Sequence, residues 1–385
     1  MAVKTNYEVN GKKYYRLSET FGRDSNGKII RKYFYGKNKK EAEKKLEDYK
    51  NSLREGISTT PKYFSLCMKT WLFEFIRSNI KASCFDRYEC TFRTHLESSP
   101  FKSKNIKDIS SLEIQRYYNK MFKKGTTTST IKRVNKLLKR FFNYCVSEGY
   151  ILRNPCANII IPCDKESRKE EIEVFTKEEL SKIINYNCEK TIKSVIFVAL
   201  ATGMRQGEVL GLKWEDLNYK TMEISIKRTV TSYCEIHGDK RKMVRDVQSP
   251  KTKNSIRTIP LPPSLISVFD KAKKEQSLDK LKLGEKYNTS NVGFIFLTND
   301  GALQYKSSIN KSWTVYLKNC GVKHRKFHTL RHTYATLQFE NDMPLKTVSN
   351  LLGHSSINIT ADIYTHVLKK QKEKAVDIIN VLNMC

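Results

Sequence analysis

Two stretches of the 385-residue chain place basic and imidazole side chains where they could act on a phosphate. The first, Ala201-Thr-Gly-Met-Arg205-Gln-Gly-Glu208-Val-Leu-Gly-Leu-Lys-Trp214, sets Arg205 just after a glycine turn, between the end of one helix and the start of the next. A cation at a helix N-terminus opposes the helix dipole. Arg205 therefore either pairs with Glu208 as a surface ion pair or is aimed at a phosphate, with Glu208 fixing its orientation. The second stretch is denser: Phe327-His328-Thr-Leu-Arg331-His332, then Leu351-Leu-Gly-His354-Ser, then Asp362-Ile-Tyr364-Thr-His366. His328 and Arg331, three apart, share a helix face. Five of the seven histidines fall between residues 324 and 366, a concentration suited to proton transfer or phosphate contact. His324, His328 and His332 have the spacing of a zinc stripe, but Arg331 would repel the ion and no cysteine or carboxylate lies nearby to complete a tetrahedral set. No metal is expected.

The elements that must hold these groups fall into three segments. In the first, period-two alternation through Lys13–Leu17 and Ile29–Tyr35, with Asp24-Ser-Asn-Gly27 between, predicts a hairpin. A helix from about Lys39 to Leu53 follows, with Ala42, Leu46, Tyr49 and Leu53 on one face. Gly56–Lys62 has the composition of a linker. In the second segment four amphipathic stretches, Leu66–Ile76, Cys84–His95, Ser111–Phe122 and Ser129–Ser147, predict a four-helix bundle. The Thr126–Thr130 run caps the last of them, and Arg133, Lys136, Lys139 and Arg140 make it basic on one side. The aperiodic stretch Asn154–Glu171 marks the second boundary. In the third, Thr176-Lys-Glu-Glu179 is a capping box opening a helix to about Tyr186. A buried helix around Val195–Ala201 comes next, then short strands at Met222–Arg228, Tyr233–Ile236 and Ile256–Ile259. Gly293–Leu297 reads as a further strand, and Ser307–Leu382 is mostly helical.

With 71 Lys and Arg against 40 Asp and Glu, the chain carries a net charge of +31. Dividing it at Thr60 and Arg168 leaves all three segments basic, the pattern of an enzyme lying along nucleic acid and not of a neutral enzyme with a basic tail. The longest apolar run, Val195–Ala201, is far short of the about 20 residues a membrane helix needs, and the N-terminus lacks a secretory signal. The ten cysteines form no C-x-x-C pair and read as reduced thiols of a cytoplasmic protein.

Arg205 in Thr-Gly-Met-Arg-x-Gly-Glu, His328-x-x-Arg331, Leu-Gly-His354-Ser and Tyr364 in Ile-Tyr-Thr-His, in this order, resemble the motifs of the site-specific tyrosine recombinases. The ten-residue spacing from His354 to Tyr364 is similar to that of phage and conjugative-transposon integrases. The resemblance implies a multidomain, mainly α fold with small β-sheets. It assigns residues 1–56 to an arm-type DNA-binding domain with a three-stranded sheet and a helix, 62–155 to a helical core-binding domain, and 170–385 to a mixed α/β catalytic domain. It also implies a catalytic lysine on a β-hairpin between Arg205 and His328. Lys251, at the start of the turn in Ser249-Pro-Lys251-Thr-Lys253, occupies the matching position, with Lys253 as the alternative.

The implied activity is DNA cleavage and rejoining for integration or excision of a mobile element, prophage or transposon. Tyr364 would attack the scissile phosphate to give a 3′-phosphotyrosyl link, and strands would exchange through a Holliday junction. A tyrosine hydroxyl with a pKa near 10 is a poor nucleophile unless its proton is accepted and the transition-state charge is neutralised. Arg205 and Arg331 would contact the non-bridging oxygens, Lys251 would protonate the leaving 5′-oxygen, His328 would assist proton transfer, and His354 would donate to the phosphate. No cofactor or metal is implied. The implied partners are double-stranded DNA at core and arm sites, a homotetramer on that DNA, and an excisionase and a host DNA-bending protein, with location in the cytoplasm at the nucleoid. The C-terminal helix, about Val367–Val381, would pack on its own domain or dock on a neighbouring subunit. Two other functions fit parts of the pattern: a type IB-like topoisomerase, against which the arm-type segment argues, and a DNA-binding repressor or architectural protein with a decayed site, against which the full set of catalytic residue types argues.

Overall fold

The computed structural model describes residues 5–9, 11–23, 29–54, 62–163, 173–187, 191–238, 240–249, 255–354, 356–358 and 360–361. Lys251, Lys253, Tyr364, the Asp24–Gly27 turn and the C-terminal helix lie outside the described residues. The chain divides into two compact units, residues 1–167 and 168–385.

The first unit begins with β1 (Tyr7–Val9), β2 (Lys12–Arg23) and β3 (Ile29–Gly36), an antiparallel sheet in that order that pairs Tyr7 with Tyr14 and Leu17 with Phe34. Helix α1 (Lys39–Arg54) packs Tyr49 against Phe21 and Phe34, and fully buries Ala42. The bundle is built from α2 (Phe64–Thr70), α3 (Ala82–Thr91), α4 (Ser111–Lys123) and α5 (Thr128–Ser147). Two of the predicted helices do not stay α-helical to their ends: Trp71–Ile76 and Phe92–Leu96 are π-helical, the wider turn letting Trp71, Leu72, Ile76, Phe92 and Leu96 all reach the core.

Ser110 and Glu113 close a capping box on α4, and the Thr127 hydroxyl accepts the Thr130 N–H at the start of α5. Helix α5 buries Ile131, Val134, Leu137, Leu138, Phe141, Phe142 and Cys145, a three-and-four spacing that supplies about 1.5–3 kcal/mol for each large apolar side chain. Phe64, Phe101, Phe141, Phe142 and Trp71 meet edge-on or tilted at the centre. The opposite side of α5 presents Arg133, Lys136, Lys139 and Arg140 to solvent.

The second unit comprises α6 (Lys177–Asn185), α7 (Thr191–Thr202), α8 (Gln206–Val209), β4 (Leu217–Asn218), β5 (Glu223–Ile226), β6 (Thr229–His237), β7 (Lys240–Gln248), β8 (Arg257–Pro260), α9 (Ile266–Leu283), α10 (Lys306–Asn319), α11 (Thr329–Glu340) and α12 (Leu345–Leu352). The Thr176–Glu179 capping box forms as predicted. Helix α7 is apolar on nearly every side because it is surrounded: α9, α10 and α11 pack against it, and Ile192, Val195, Ile196, Val198 and Ala199 are buried. Strands β4, β5 and β8 form one antiparallel sheet, and β6 and β7 a separate two-stranded ribbon.

The predicted strand at Gly293–Leu297 does not form. Its Phe294, Ile295, Phe296 and Leu297 are buried, but the segment makes only single bridges to Lys213 and Leu303, because it threads the core with no neighbouring strand to pair with. Among the described residues no helix is long and apolar enough to cross a membrane.

Candidate active site

Helix α7 ends at Thr202, whose hydroxyl donates back to the Val198 carbonyl at 2.5 Å. Gly203 then turns the chain at φ +64, and a Cβ there would collide with the Tyr334 ring, so both the backbone and the packing require glycine. The turn delivers Arg205 to the N-cap of α8 in extended conformation. Its backbone N–H donates to Glu208 Oε2 at 3.0 Å and its Nη1 to Glu208 Oε1 at 2.8 Å, so the ion pair read from the sequence exists. Glu208 is no surface partner, however. Its side chain is only 4% exposed, whereas that of Arg205 is 36% exposed. The carboxylate is a buried brace under a guanidinium that still faces solvent, so the pair is not the surface ion pair that was one of the two expectations.

Arg331 comes from α11. The start of that helix is fixed by Phe327 and Phe175, both packed edge-on against the Trp313 ring, and by the Trp313 indole N–H donating to the Arg325 carbonyl. His328 occupies the N-cap position, and one turn on, the His332 ring meets it edge-on at 4.9 Å. Arg331 is buried, with Nη1 donating to the Gly203 carbonyl at 2.9 Å and Nη2 to the Leu352 carbonyl at 2.7 Å. Five N–H groups minus these two leave a guanidinium with donors to spare for an anion.

The third contribution is the end of α12. Gly353 closes the helix in the left-handed conformation, and His354 follows. Three successive carbonyls at this terminus accept from three arginines: Leu351 from Arg257 Nε at 2.6 Å, Leu352 from Arg331 Nη2, and Gly353 from Arg205 Nη2 at 3.1 Å. A helix C-terminus carries unpaired carbonyls and partial negative charge, so it gathers cations that would otherwise repel one another. Among the described residues Glu208 is the one carboxylate bonded to Arg205 and Arg257, so these groups together keep an excess of positive charge.

The structure thus brings together Arg205, His328, Arg331 and His354 of the predicted set, while Lys251, its alternative Lys253 and Tyr364 lie outside the described residues. Sequence reasoning missed Arg257 and Thr360. Arg257 had a signal, being in phase with the inward-facing Ile259 on β8 and with the buried Leu261 that follows it. Thr360, fully buried, contacts His354 Nδ1 through its hydroxyl at 2.7 Å, and nothing in its sequence neighbourhood marks it.

Electrostatics follow from this crowding. Burial alone would raise the Glu208 carboxyl, but the hydrogen bond and charge of Arg257, with the Arg205 N–H and guanidinium, hold it below the usual carboxylate range. Burial and the neighbouring Arg205 lower Arg331, which stays charged at neutral pH. Partial desolvation, then His332, Arg331 and Arg205, lower the His328 imidazole even though one side of the residue faces solvent. His354 is pulled down to about 3 by burial and by Arg331 and Arg205. Both imidazoles are therefore neutral at pH 7 in the DNA-free protein. If the Thr360 hydroxyl donates into Nδ1, the His354 proton sits on Nε2, free to be donated to a ligand.

A stability prediction follows. The unfolded chain takes up a proton at His354 near pH 6.5, which the folded site refuses until about pH 3, so the folded state loses stability as pH falls through that window. One full proton corresponds to at most about 1.4 kcal/mol per pH unit. Thermal melts of the DNA-free protein from pH 7 to pH 4 should show a shallower decline for His354→Gln than for the parent, and parallel declines would contradict this account.

Residues 173–371 match the family model described as phage integrase family, and residues 63–122 the one described as phage integrase, N-terminal SAM-like domain. The chain is 46% identical, over 99% of its length and 100% of the relative, to a protein named tyrosine recombinase XerC-like from Caldanaerobacter subterraneus subsp. tengcongensis. It is 27% identical to the ICEBs1 integrase of Bacillus subtilis, covering 72% of this chain and 73% of that one. Among solved structures, the Tn1549 transposon integrase in complex with transposon right end DNA shares the fold, with a TM-score of 0.64 and 19% identity over 81% of this chain and 99% of that one. So does the lambda integrase tetramer bound to a Holliday junction, with a TM-score of 0.55 and 17% identity over 89% and 91%.

Proposed function

The chain belongs to the phage integrase family and is a site-specific tyrosine recombinase acting on DNA, and from that premise we propose how its residues divide the work. Arg205 and Arg331 bind the two non-bridging oxygens of the scissile phosphate. Tyr364 attacks the phosphorus, the bond to the 5′-oxygen breaks as Lys251 protonates it, and a 3′-phosphotyrosyl link remains. A 5′-hydroxyl from the partner strand then reverses the step. The ester conserves the energy of the broken bond. His328 assists proton transfer, and His354 donates from Nε2 to the phosphate.

The observation that carries this reading is that Arg205 and Arg331 hold the carbonyls of adjacent residues, Gly353 and Leu352, immediately before His354. Two guanidiniums and an imidazole donor gathered at one helix end suit a tetrahedral anion. Because they are already in place, their stabilisation of developing charge requires little reorganisation. The exposed basic face of α5 and the sheet of β1–β3, with Tyr33 and Tyr35 exposed, are read as surfaces along the duplex at core and arm sites. The three-part division into 1–56, 62–155 and 170–385, assembly as a tetramer, an excisionase and a host DNA-bending protein as partners, and work at the bacterial nucleoid belong to the same reading.

A nicked suicide duplex carrying the attachment junction, taken from the DNA flanking the gene, tests it. The protein should form a covalent adduct stable to denaturing detergent and should join two such sites in a separate recombination assay. Adduct formation followed only by relaxation of supercoiled DNA would indicate a topoisomerase instead.

A further inference from the structure

We propose that Arg257 is a positioning residue for the scissile-phosphate site, one that sets the angle of Arg205 without touching DNA itself. The inference rests on the recombinase reading above. Arg257 opens β8, where Ile259 points inward, and of the flanking residues Leu261 is buried and Ile256 exposed. An arginine in that phase must find polar partners inside the fold. It finds three: Nε donates to the Leu351 carbonyl at 2.6 Å, Nη1 to the Ser255 carbonyl at 3.2 Å, and Nη2 to Glu208 Oε2 at 2.9 Å. All three of its nitrogens are bonded to acceptors within the fold and its side chain is 7% exposed, whereas Arg331 commits only its two terminal nitrogens and Arg205 is 36% exposed.

The consequence lies in how Glu208 is shared. Oε1 holds Arg205 Nη1, while Oε2 receives both the Arg205 backbone N–H and Arg257 Nη2. Arg257 thereby fixes the carboxylate from behind, and at the same time ties it to the end of α12, whose Gly353 carbonyl holds the other terminal nitrogen of Arg205. Both grips on the Arg205 guanidinium are referred to a single planar fork. Lysine could not reproduce this, because one ammonium on a flexible stem cannot span acceptors on two separate elements with fixed geometry. Removing the fork leaves a buried carboxylate with Arg205 as its only remaining ion-pair partner among the described residues, so Glu208 and Arg205 reorient together.

The test compares two suicide duplexes, one with an ordinary scissile phosphate and one with a methylphosphonate there, in which a methyl group replaces a charged non-bridging oxygen. A neutral centre depends less on the angle of a guanidinium. Arg257→Gln should bind both duplexes with the parent's affinity and cleave the phosphate about 10²-fold more slowly, the scale of an ångström-level misplacement. Its loss on the methylphosphonate, relative to the parent, should be less than about tenfold. Combining it with Glu208→Gln should cost no more than the worse single change, as expected of residues acting as a unit. Equal losses on the two duplexes, or additive losses in the double variant, would show that Arg257 merely stabilises the fold. If Arg257→Gln does not fold, Arg257→Lys is read the same way, with a smaller loss on the phosphate. If the parent protein forms no adduct with either duplex, the recombinase reading fails before Arg257 is tested, so the two failures are distinguishable.

Discussion

Tyr364→Phe is expected to leave DNA affinity unchanged and to eliminate the covalent adduct on a nicked suicide duplex, a loss on the order of 10⁵-fold or more, as when other enzymes lose their nucleophile. Phenylalanine preserves the ring and removes the one atom that can form the phosphate ester. Tyr364 lies outside the described residues, so its assignment rests on the Ile-Tyr-Thr-His motif ten residues beyond His354 in a chain with 20 tyrosines. Among the described tyrosines, one that packs beside the arginine cluster is a poor substitute. Tyr334 covers Gly203 with its ring, and burial raises its hydroxyl above the usual value. Adduct that persists in Tyr364→Phe would place the nucleophile elsewhere, and peptide mapping of the DNA-linked fragment would locate it.

Arg331→Ala should reduce cleavage at least about 10³-fold, the scale seen when a preorganised donor to developing charge is removed. From the sequence alone the expectation is a pure catalytic defect with little loss of binding. The structure adds a second effect, because Arg331 also satisfies the carbonyls of Gly203 and Leu352. Alanine would leave both without their donor, at about 1–3 kcal/mol for each that remains buried and unpaired. The melting temperature should therefore fall as well. DNA binding, spread over many of the 71 Lys and Arg side chains, should survive with its steep salt dependence intact. Arg331→Lys separates the effects: it keeps a charge and one carbonyl contact, so stability should largely return while cleavage stays low. Equal losses of binding and cleavage in Arg331→Ala would mean that the site and the duplex-holding surface are not separable.

Much of the site was legible because its chemistry needs rare combinations at fixed order. Arg205 and His328 cap helices, Arg331 lies within α11 and His354 follows the end of α12, and the structure gathers all four. The capping box at Thr176 was equally readable, since it is closed by side chains three residues apart, whereas the same arrangement at Ser110 and Glu113 went unread. What escaped was set by tertiary context. Strand β7, Lys-Arg-Lys-Met-Val-Arg-Asp-Val-Gln, has no alternation to read because its ribbon is only partly covered on either face, and cross-strand pairing with β6 holds it. Helix α9 was assigned no element. It buries only Phe269 and Ala272, both in its first half, and its second half mixes Lys, Glu and Asp with the exposed Leu278 and Leu281, leaving no apolar stripe to read. The Gly293–Leu297 run looked like a strand because burial on all sides and burial between strands leave the same apolar signature. Thr360 could not be singled out, since a hydroxyl that supports a histidine looks like any other until the fold brings them together.

The arginine grips on the end of α12 also join parts of the chain that are far apart in sequence. The donors and acceptors are separated by 148, 94 and 21 residues along the chain. Contacts this distant close late, since each requires a long loop to be immobilised first. While the protein is being synthesised, Arg205 and Arg257 leave the ribosome long before the carbonyls that will orient them. Until Gly353 docks, the chain can adhere to DNA through its basic surfaces, but its guanidiniums have no common frame. The arrangement that the proposed cleavage requires is therefore complete only once the end of α12 has docked.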